Sequence, residues 1–472
     1  VRAIPSAGSF AALAAATFYV WNPFVAERLV LGHWPLLLAH AALPWLAVAA
    51  VRVRRGEVGA WPALVLASAV CALSASGGVV ALLVALPVVA WRPARFRAVA
   101  GVLGVAVAVN APWWVVGLAG PGTATSDPAA VAAFAARDEG YGGVLPTLLT
   151  LGGVWNADVV PDSRGTAAAV AGAAVLLVLG AAGVVVWWRR QRAVAAPVTV
   201  AAVLALAVAL LGAVAPGVLR RLVEDVPGAG LLRDGQRYLD PLVLLEAAGF
   251  GLAAARLRAP ARRRLPRWSA VTAACGLVLL PVAVLPDLAW GAGLGVASYP
   301  SDWAQARRVL AADPRPGDVM PWPFESYRAP AFNGGRPVVD PGPRYLPRPA
   351  VVPDELVVGR ERLAGEDPRA RRVAAALRSG GDATDVLLAE GVGWIFADGA
   401  APPPVTAVRG AREVFRGDTA VLYVLDGPPA NPPAVRGMRR VAIAAGWIAA
   451  VAACAAALLT LGRAGMRRFD HR

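Results

Sequence analysis

Lysine is absent from this chain: all 46 of its basic side chains are arginine. Charged residues make up only 16% of 472 positions and hydrophobic ones 57%, a balance that excludes an ordinary soluble domain. Cysteine and histidine are scarce, at three each. Cys71, Cys275 and Cys454 lie far apart inside apolar runs, which reads as small buried residues and not as a disulfide framework or a ligand set. His33 and His40 could share a helix face but have no third ligand, and His471 is remote. No CxxC, HExxH or P-loop pattern occurs. No metal and no cofactor is therefore expected. The net charge of +15 suits nucleic acid, but the arginines gather in short segments between apolar runs, as topology signals do, so no nucleic-acid partner is expected.

What is present is a series of apolar runs long enough to cross a bilayer. They fall at Ser6–Phe24, Pro35–Val51, Ala98–Leu118, Ala167–Trp188, Val198–Ala215, Pro241–Ala255, Ser269–Trp290 and Val441–Leu461. Ala60–Trp91 is too long for one span, and the breaker cluster Ser74–Gly78 divides it into a two-helix hairpin. The expected fold is an all-α polytopic membrane domain of about ten transmembrane helices, with a small exported α/β domain before the last helix. If Arg52, Arg54 and Arg55 are cytoplasmic, alternate counting also puts Arg189, Arg190 and Arg192, the Arg256–Arg267 cluster, and Arg463, Arg467 and Arg468 inside. The chain is then a multi-pass protein of the cytoplasmic membrane with both termini inside. The connections Asn22–Trp34, Gly120–Gly165 and Pro216–Asp240 lie outside, as does the segment Gly291–Arg436.

Three domains follow: residues 1–290 as the polytopic membrane domain, 291–436 as the extracytoplasmic α/β domain, and 437–472 as the last helix with a short basic tail. In the second, strand-like stretches at Asp318–Met320, Val392–Ala397 and Ala420–Leu425 alternate with an amphipathic helix at Arg369–Arg378. Pro-rich stretches at Ala401–Pro404 and Pro428–Pro433 read as turns or linkers.

The exported connections carry the chemistry. One holds Glu27, Arg28 and His33, the next Arg137-Asp-Glu139 with Trp155 and Asn156, and the third Arg233-Asp-Gly-Gln-Arg-Tyr238. Arginine grips phosphate, aromatic faces pack on sugar rings, and a carboxylate serves as general base for a hydroxyl. The mixture suits a sugar carried on a lipid phosphate. For any one of these residues, an interfacial anchor or a solvated ion pair is the simpler account.

At these residues the chain resembles the actinobacterial membrane glycosyltransferases of the GT-C superfamily, the arabinofuranosyl- and mannosyltransferases of the cell envelope. The resemblance rests on Asn22-Pro-Phe-Val-Ala-Glu-Arg-Leu29, Leu151-Gly-Gly-Val-Trp-Asn156 and Leu232-Arg-Asp-Gly-Gln-Arg237. It rests also on Gly317-Asp-Val-Met-Pro-Trp-Pro-Phe324, Asn333-Gly-Gly-Arg-Pro337 and Gly391-Val-Gly-Trp-Ile395. It implies a polyprenyl-phosphate-linked sugar donor, a cell-wall glycan or lipid acceptor, membrane lipid as surroundings, and a catalytic acid in the first exported connection. Glu27 is the candidate base and Asp234 the second. Arg28, His33, Trp155, Asn156, Arg233, Gln236, Arg237 and Tyr238 are the candidate substrate-binding residues. Members of that superfamily often carry two acidic residues together in the first loop, and here Glu27 stands alone. The expectation divides accordingly between an N-terminal truncation and a non-catalytic envelope-assembly or lipid-handling relative. A secondary transporter is the third reading, with Glu246 as the main acidic residue within a span.

Overall fold

The computed structural model of this chain describes residues 8–91, 96–118, 127–264, 266–288, 294–358, 361–363, 365–399, 407–430 and 437–469. The basic residues Arg92 and Arg95, the Pro-rich stretch 401–404, the last part of the stretch 428–433, the domain ends Trp290, Gly291 and Arg436, and His471 lie outside the described residues. Contacts divide the chain into two compact units. One comprises residues 1–124, 131–294 and 438–472, and the other residues 125–130 and 295–437.

The first unit is helical. Helix α1 (Ser9–Val20) and α2 (Pro23–Val30) meet at Asn22, and α3 (Trp34–Arg55) follows. The stretch expected as a loop after the first span is thus mostly helix. Asn22 explains this: its Oδ1 accepts the Val25 N–H at 3.1 Å, and Pro23 occupies the first helical turn, where no backbone N–H is needed. Helix α3 ends on Gly56 at φ 74°, with Arg52, Arg54 and Arg55 in its last turn.

The run Ala60–Trp91 is broken as its Ser-Gly cluster requires. Helix α4 (Ala60–Cys71) stops short of α5 (Ala75–Ala90), which Ser74 caps by accepting the Gly77 N–H at 2.9 Å. Helices α6 (Phe96–Val109) and α7 (Ala111–Leu118) meet at a 66° bend. The helix Ala167–Val214 joins two expected spans across non-helical geometry at Gln191 (φ −146°), around which Arg189, Arg190 and Arg192 are exposed.

Among the described residues, 5 helices are long and apolar enough to cross a membrane, or up to 6 with the bent pair counted as one span. The expectation of about ten exceeds this for physical reasons. At 12 and 16 residues, α4 and α5 are each below the roughly 20 that a hydrocarbon core demands. The long helix contains two expected spans, and the helix Asp240–Arg264 ends in a run of arginines.

That last helix is packed through glycine. A Cβ on Gly183 would lie 1.7 Å from the Gly249 carbonyl oxygen, and one on Gly249 would lie 2.2 Å from the Gly180 carbonyl. On another side a Cβ on Gly251 would lie 2.4 Å from the Ala11 carbonyl of α1. Between helices in lipid, where hydrophobic drive is lacking, such close backbone approach is what van der Waals packing needs.

The second unit is built around the strand Val392–Asp398. It pairs in parallel with Asp318–Trp322 and antiparallel with Ala420–Leu425, which in turn pairs with the edge strand Ala411–Arg416. Alternation sets its two faces. Ile395 and Ala397 enter one apolar cluster with Ala370 and Val373 of the helix Pro368–Arg378, while Trp394 and Phe396 enter another with Trp303 and Leu310 of the helix Ser301–Ala312. Covered on both faces, the central strand reads as a continuous apolar run. The sheet therefore lies where the strand-like stretches were expected, with one edge strand added. Arg328, 8% exposed, pairs with Asp398, which also accepts the Trp303 indole N–H at 3.2 Å.

The glycine contacts give the first prediction. Gly183→Val should destabilise the detergent-solubilised protein by about 1–3 kcal/mol through overpacking. Gly276, which has nothing within 4 Å of an added Cβ, should accept Gly276→Ala neutrally or with a gain of about 0.5–1 kcal/mol. Thermal unfolding midpoints of both variants check it; equal midpoints would exclude glycine packing as the constraint.

Candidate functional site: a buried carboxylate and guanidinium cluster

Helix α2 delivers Glu27 and Arg28 to the interior of the membrane unit, both 0% exposed. Glu27 Oε2 accepts a hydrogen bond from Gln236 Nε2 at 3.0 Å, and the same nitrogen donates to the Gly152 carbonyl at 3.3 Å. Behind Gly152 stands a second carboxylate. Glu139 lies close enough to Glu27 for their carboxyl groups to interact. Glu139 Oε1 accepts the backbone N–H groups of Gly153 at 2.5 Å and Val154 at 3.2 Å, and Oε2 accepts from Arg164 Nε at 2.7 Å.

The turn holding this carboxylate is strained. Leu151 is the non-glycine residue with positive φ among those described (66°), and it is 2% exposed. Gly153 follows at φ 95°, and a Cβ on Gly152 would lie 2.3 Å from both Glu139 Oε2 and the Arg164 guanidinium. The Gly-Gly pair is required because side chains from elsewhere occupy its Cβ space. Arg164 also lies over the Tyr141 ring at 4.5 Å.

Arg28 faces the other way. One of its terminal nitrogens lies 3.2 Å from His33 Nδ1 and 3.7 Å from Asp234 Oδ2, and its guanidinium is 5.6 Å from the Phe24 ring centroid. Asp234, 1% exposed, accepts from Arg237 Nε at 2.5 Å. Burial alone would raise the Asp234 carboxyl, but Arg237 and Arg28 outweigh it and hold it below the ordinary carboxylate range. His33 is pushed down to about 3, first by burial and then by Arg28 and Arg237, so its ring stays neutral.

The remaining candidates fall into place around these. Tyr238, 0% exposed, donates to the Leu231 carbonyl at 2.8 Å and closes its own loop. Arg233 lies over the Phe134 ring at 5.2 Å, and Phe134 meets Trp155 edge-on at 4.8 Å. Asn156 accepts the Asp158 N–H at 3.0 Å as the cap of a short turn. The structure thus brings Glu27, Arg28, His33, Asp234, Gln236 and Arg237 into one cluster. Arg233 with Trp155 forms an adjacent aromatic stack, and Asn156 has a local turn role. Glu139 and Arg164, which join this cluster, stand outside the candidates that the sequence marks. The signal that could have found them is the Gly152–Gly153 pair, since adjacent glycines at a turn mark close approach by something else.

Several buried polar atoms of this cluster have no hydrogen-bond partner: Glu27 Oε1, the Nε and one terminal nitrogen of Arg28, Asp234 Oδ1, Gln236 Oε1 and Trp155 Nε1. Native interiors leave few such groups without a reason, and a concentration of them on neighbouring residues marks a place where a ligand would complete the bonding. No group of three or more His, Cys, Asp or Glu among the described residues could hold a metal ion.

No protein-family profile matches the chain, and no curated protein matches it by sequence. Its fold does match solved structures. The cryo-EM structure of arabinofuranosyltransferase AftD from mycobacteria aligns with a TM-score of 0.56 and 17% identity over 88% of this chain and 31% of that one. A mutant of the same protein aligns with a TM-score of 0.54 and 17% identity over 90% of this chain and 33% of that one. The chain therefore spans about a third of the length of the solved chains it matches. At this identity the likeness is one of fold.

Two predictions follow from the cluster. Arg164→Met strands the buried Glu139 carboxylate and should cost about 3–5 kcal/mol, read as a lowered unfolding midpoint in detergent; an unchanged midpoint would show the pair to be solvated. For pH, the sign follows from His33. Its pKa is about 3 in the folded protein against an ordinary 6.5, so the unfolded chain binds the extra proton below 6.5. Its contribution is complete above pH 6.5 and is lost as pH falls towards 3. The slope is at most about 1.4 kcal/mol per pH unit, and His33→Asn should flatten it. Unfolding midpoints between pH 4 and pH 7 test this, and parallel curves for both proteins would contradict it.

Proposed function

We propose that this chain is a membrane glycosyltransferase of the GT-C type, moving a sugar from a polyprenyl-phosphate donor to a cell-envelope glycan or lipid acceptor. The single observation that carries the reading is the pairing of unmet bonds on adjacent residues. Glu27 keeps one carboxylate oxygen without a donor, and Arg28 keeps two guanidinium nitrogens without an acceptor. An acceptor hydroxyl and a phosphate fill these needs. The fold shared with arabinofuranosyltransferase AftD supports it.

In this reaction Glu27 takes the proton from the acceptor hydroxyl as its oxygen bonds to the anomeric carbon. The bond from that carbon to the phosphate oxygen breaks, and the electron pair leaves with the phosphate, which Arg28 stabilises. Gln236 orients Glu27 through its 3.0 Å hydrogen bond. Asp234 faces Arg237 at 2.5 Å and Arg28 at 3.7 Å through Oδ2 and keeps Oδ1 without a donor, so it positions Arg28 and stands second to Glu27 as base. Glu139, held by Arg164, supplies the acidic partner that the first connection lacks. The arrangement of arginine clusters supports the outer face of the membrane as the location of this chemistry, with both termini inside.

A second reading, a non-catalytic lipid-handling partner of envelope assembly, is favoured by the complete burial of Glu27 and Arg28. The two are separated by adding labelled polyprenyl-phosphate sugar and an acceptor glycan to the purified protein in lipid nanodiscs. Transfer by the unmutated protein should fall about 10²–10⁴-fold in Glu27→Gln with lipid binding kept, while Arg28→Gln should weaken binding. Binding without transfer favours the second reading, and neither binding nor transfer defeats both.

A further inference from the structure

The helix Asp240–Arg264 carries two carboxyls that the reaction above does not use, Asp240, which meets His40, and Glu246 further along. Glu246 is 6% exposed and, among the described residues, has no hydrogen-bond or ion-pair partner. It lines a narrow cavity of about 30 Å³ whose apolar wall includes Phe18, Leu176, Leu177 and Val284. These side chains belong to Ser9–Val30, Ala167–Val214 and Arg267–Val284, each long and apolar enough to cross a membrane. The polar lining is completed by Asn22, Tyr141, Thr150 and Arg164, which lie on the connections and helix ends of the same unit.

Two features of this arrangement point the same way. The volume suffices for about two water molecules, and the lining offers them polar partners: the Glu246 carboxyl, the Tyr141 and Thr150 hydroxyls and the Arg164 guanidinium. A lone carboxylate unpaired beside three helices that are apolar enough to span a membrane is costly; carboxyls in such places take up protons or serve ion paths. The titratable or charged groups that line the cavity besides Glu246 are Tyr141 and Arg164; the wall from α1, from Ala167–Val214 and from Arg267–Val284 contributes none. The close backbone packing of Gly180 and Gly183 against Glu246 and Gly249 fixes the helix face on which the carboxyl sits.

We propose that Glu246 is an intramembrane proton-binding site, held as the carboxylic acid and kept in exchange with bulk water through a short file of water molecules in this cavity. The site rests on the cavity and the unpartnered carboxyl and not on sugar transfer, so either reading can fail alone. Arg164 joins the two regions, since it lines this cavity and also grips Glu139.

Infrared difference spectroscopy of the protein in nanodiscs tests it. The unmutated protein minus Glu246→Gln should show the C=O band of a protonated carboxyl, and that band should move to lower frequency within minutes of transfer to D₂O. Leu177→Trp, which fills the cavity and leaves the carboxyl in place, should keep the band and slow its shift by about tenfold or more. Absence of the band, with carboxylate bands instead, would show an ionised Glu246 and overturn the proposal. So would a band unmoved after hours in D₂O, or a shift that Leu177→Trp leaves as fast as before. If Glu246→Gln fails to fold, Glu246→Leu supplies the subtracted spectrum and the Leu177→Trp comparison stands.

Discussion

Charge neutralisation without water is the constraint on which the membrane unit depends. Glu139 and Asp234 are enclosed together with Arg28, Arg164 and Arg237, and all but Arg237 have side chains almost wholly out of solvent; Glu27, equally buried, is bonded to Gln236 beside them. Removing any of these ions from water costs several kcal/mol, and only an opposing ion at close range with further hydrogen bonds repays it. The backbone is arranged to provide those bonds. Leu151 accepts a left-handed conformation and Gly152 forgoes a side chain so that two N–H groups and a guanidinium converge on Glu139. The strain at Leu151 and the burial of the carboxylate are two aspects of one requirement.

A cluster stabilised in this way is also selective about what else it can bind. The ion pairs Arg164–Glu139 and Arg237–Asp234 are made at hydrogen-bond distance, whereas Arg28 reaches Asp234 only at 3.7 Å. Arg28 is the cation held least tightly by its own carboxylate, and the two carboxylates beside it, Glu27 and Asp234, each keep one oxygen unmet. The uneven pairing separates residues that hold the loops together from residues with bonding capacity left over. An even pairing of all six groups would describe a structural core and nothing more.

Much of this was legible in the sequence and part was not, and the division follows contact range. The breaks at Ser74 and Gln191, the arginine-rich helix ends and the sheet strands are set by local composition and periodicity, and they lie at or near where those signals put them. Glu27, Arg28, Asp234 and Gln236 could be selected because each sits in a connection rich in polar and turn residues. That Gln236 bonds Glu27 across 209 positions, or that Arg164 reaches Glu139, depends on how the helices pack, which no local pattern encodes. The helix Pro23–Val30 was missed for the opposite reason: the Asn-Pro that reads as a turn is here also the cap of a helix, and the same two residues do both.

Glycine and the buried carboxyls are linked through one helix. Asp240–Arg264 approaches its neighbours backbone to backbone at Gly249 and Gly251, and such proximity leaves little freedom for the helix to rotate. Its first residue, Asp240, meets His40 Nδ1 at 2.5 Å, and the other ring nitrogen of His40 lies 3.0 Å from the Tyr19 carbonyl. Both ring nitrogens of His40 thus face oxygen atoms, one on each side. Tyr19, stacked on His40 at 4.0 Å, covers the pair. The glycine contacts fix the azimuth of the helix, the His40–Asp240 pair fixes its start, and the loop carrying Asp234, Gln236 and Arg237 leads directly into that start. The position of the cluster around Glu27 is therefore inherited from helix packing, and the residues that touch it are placed by residues that do not.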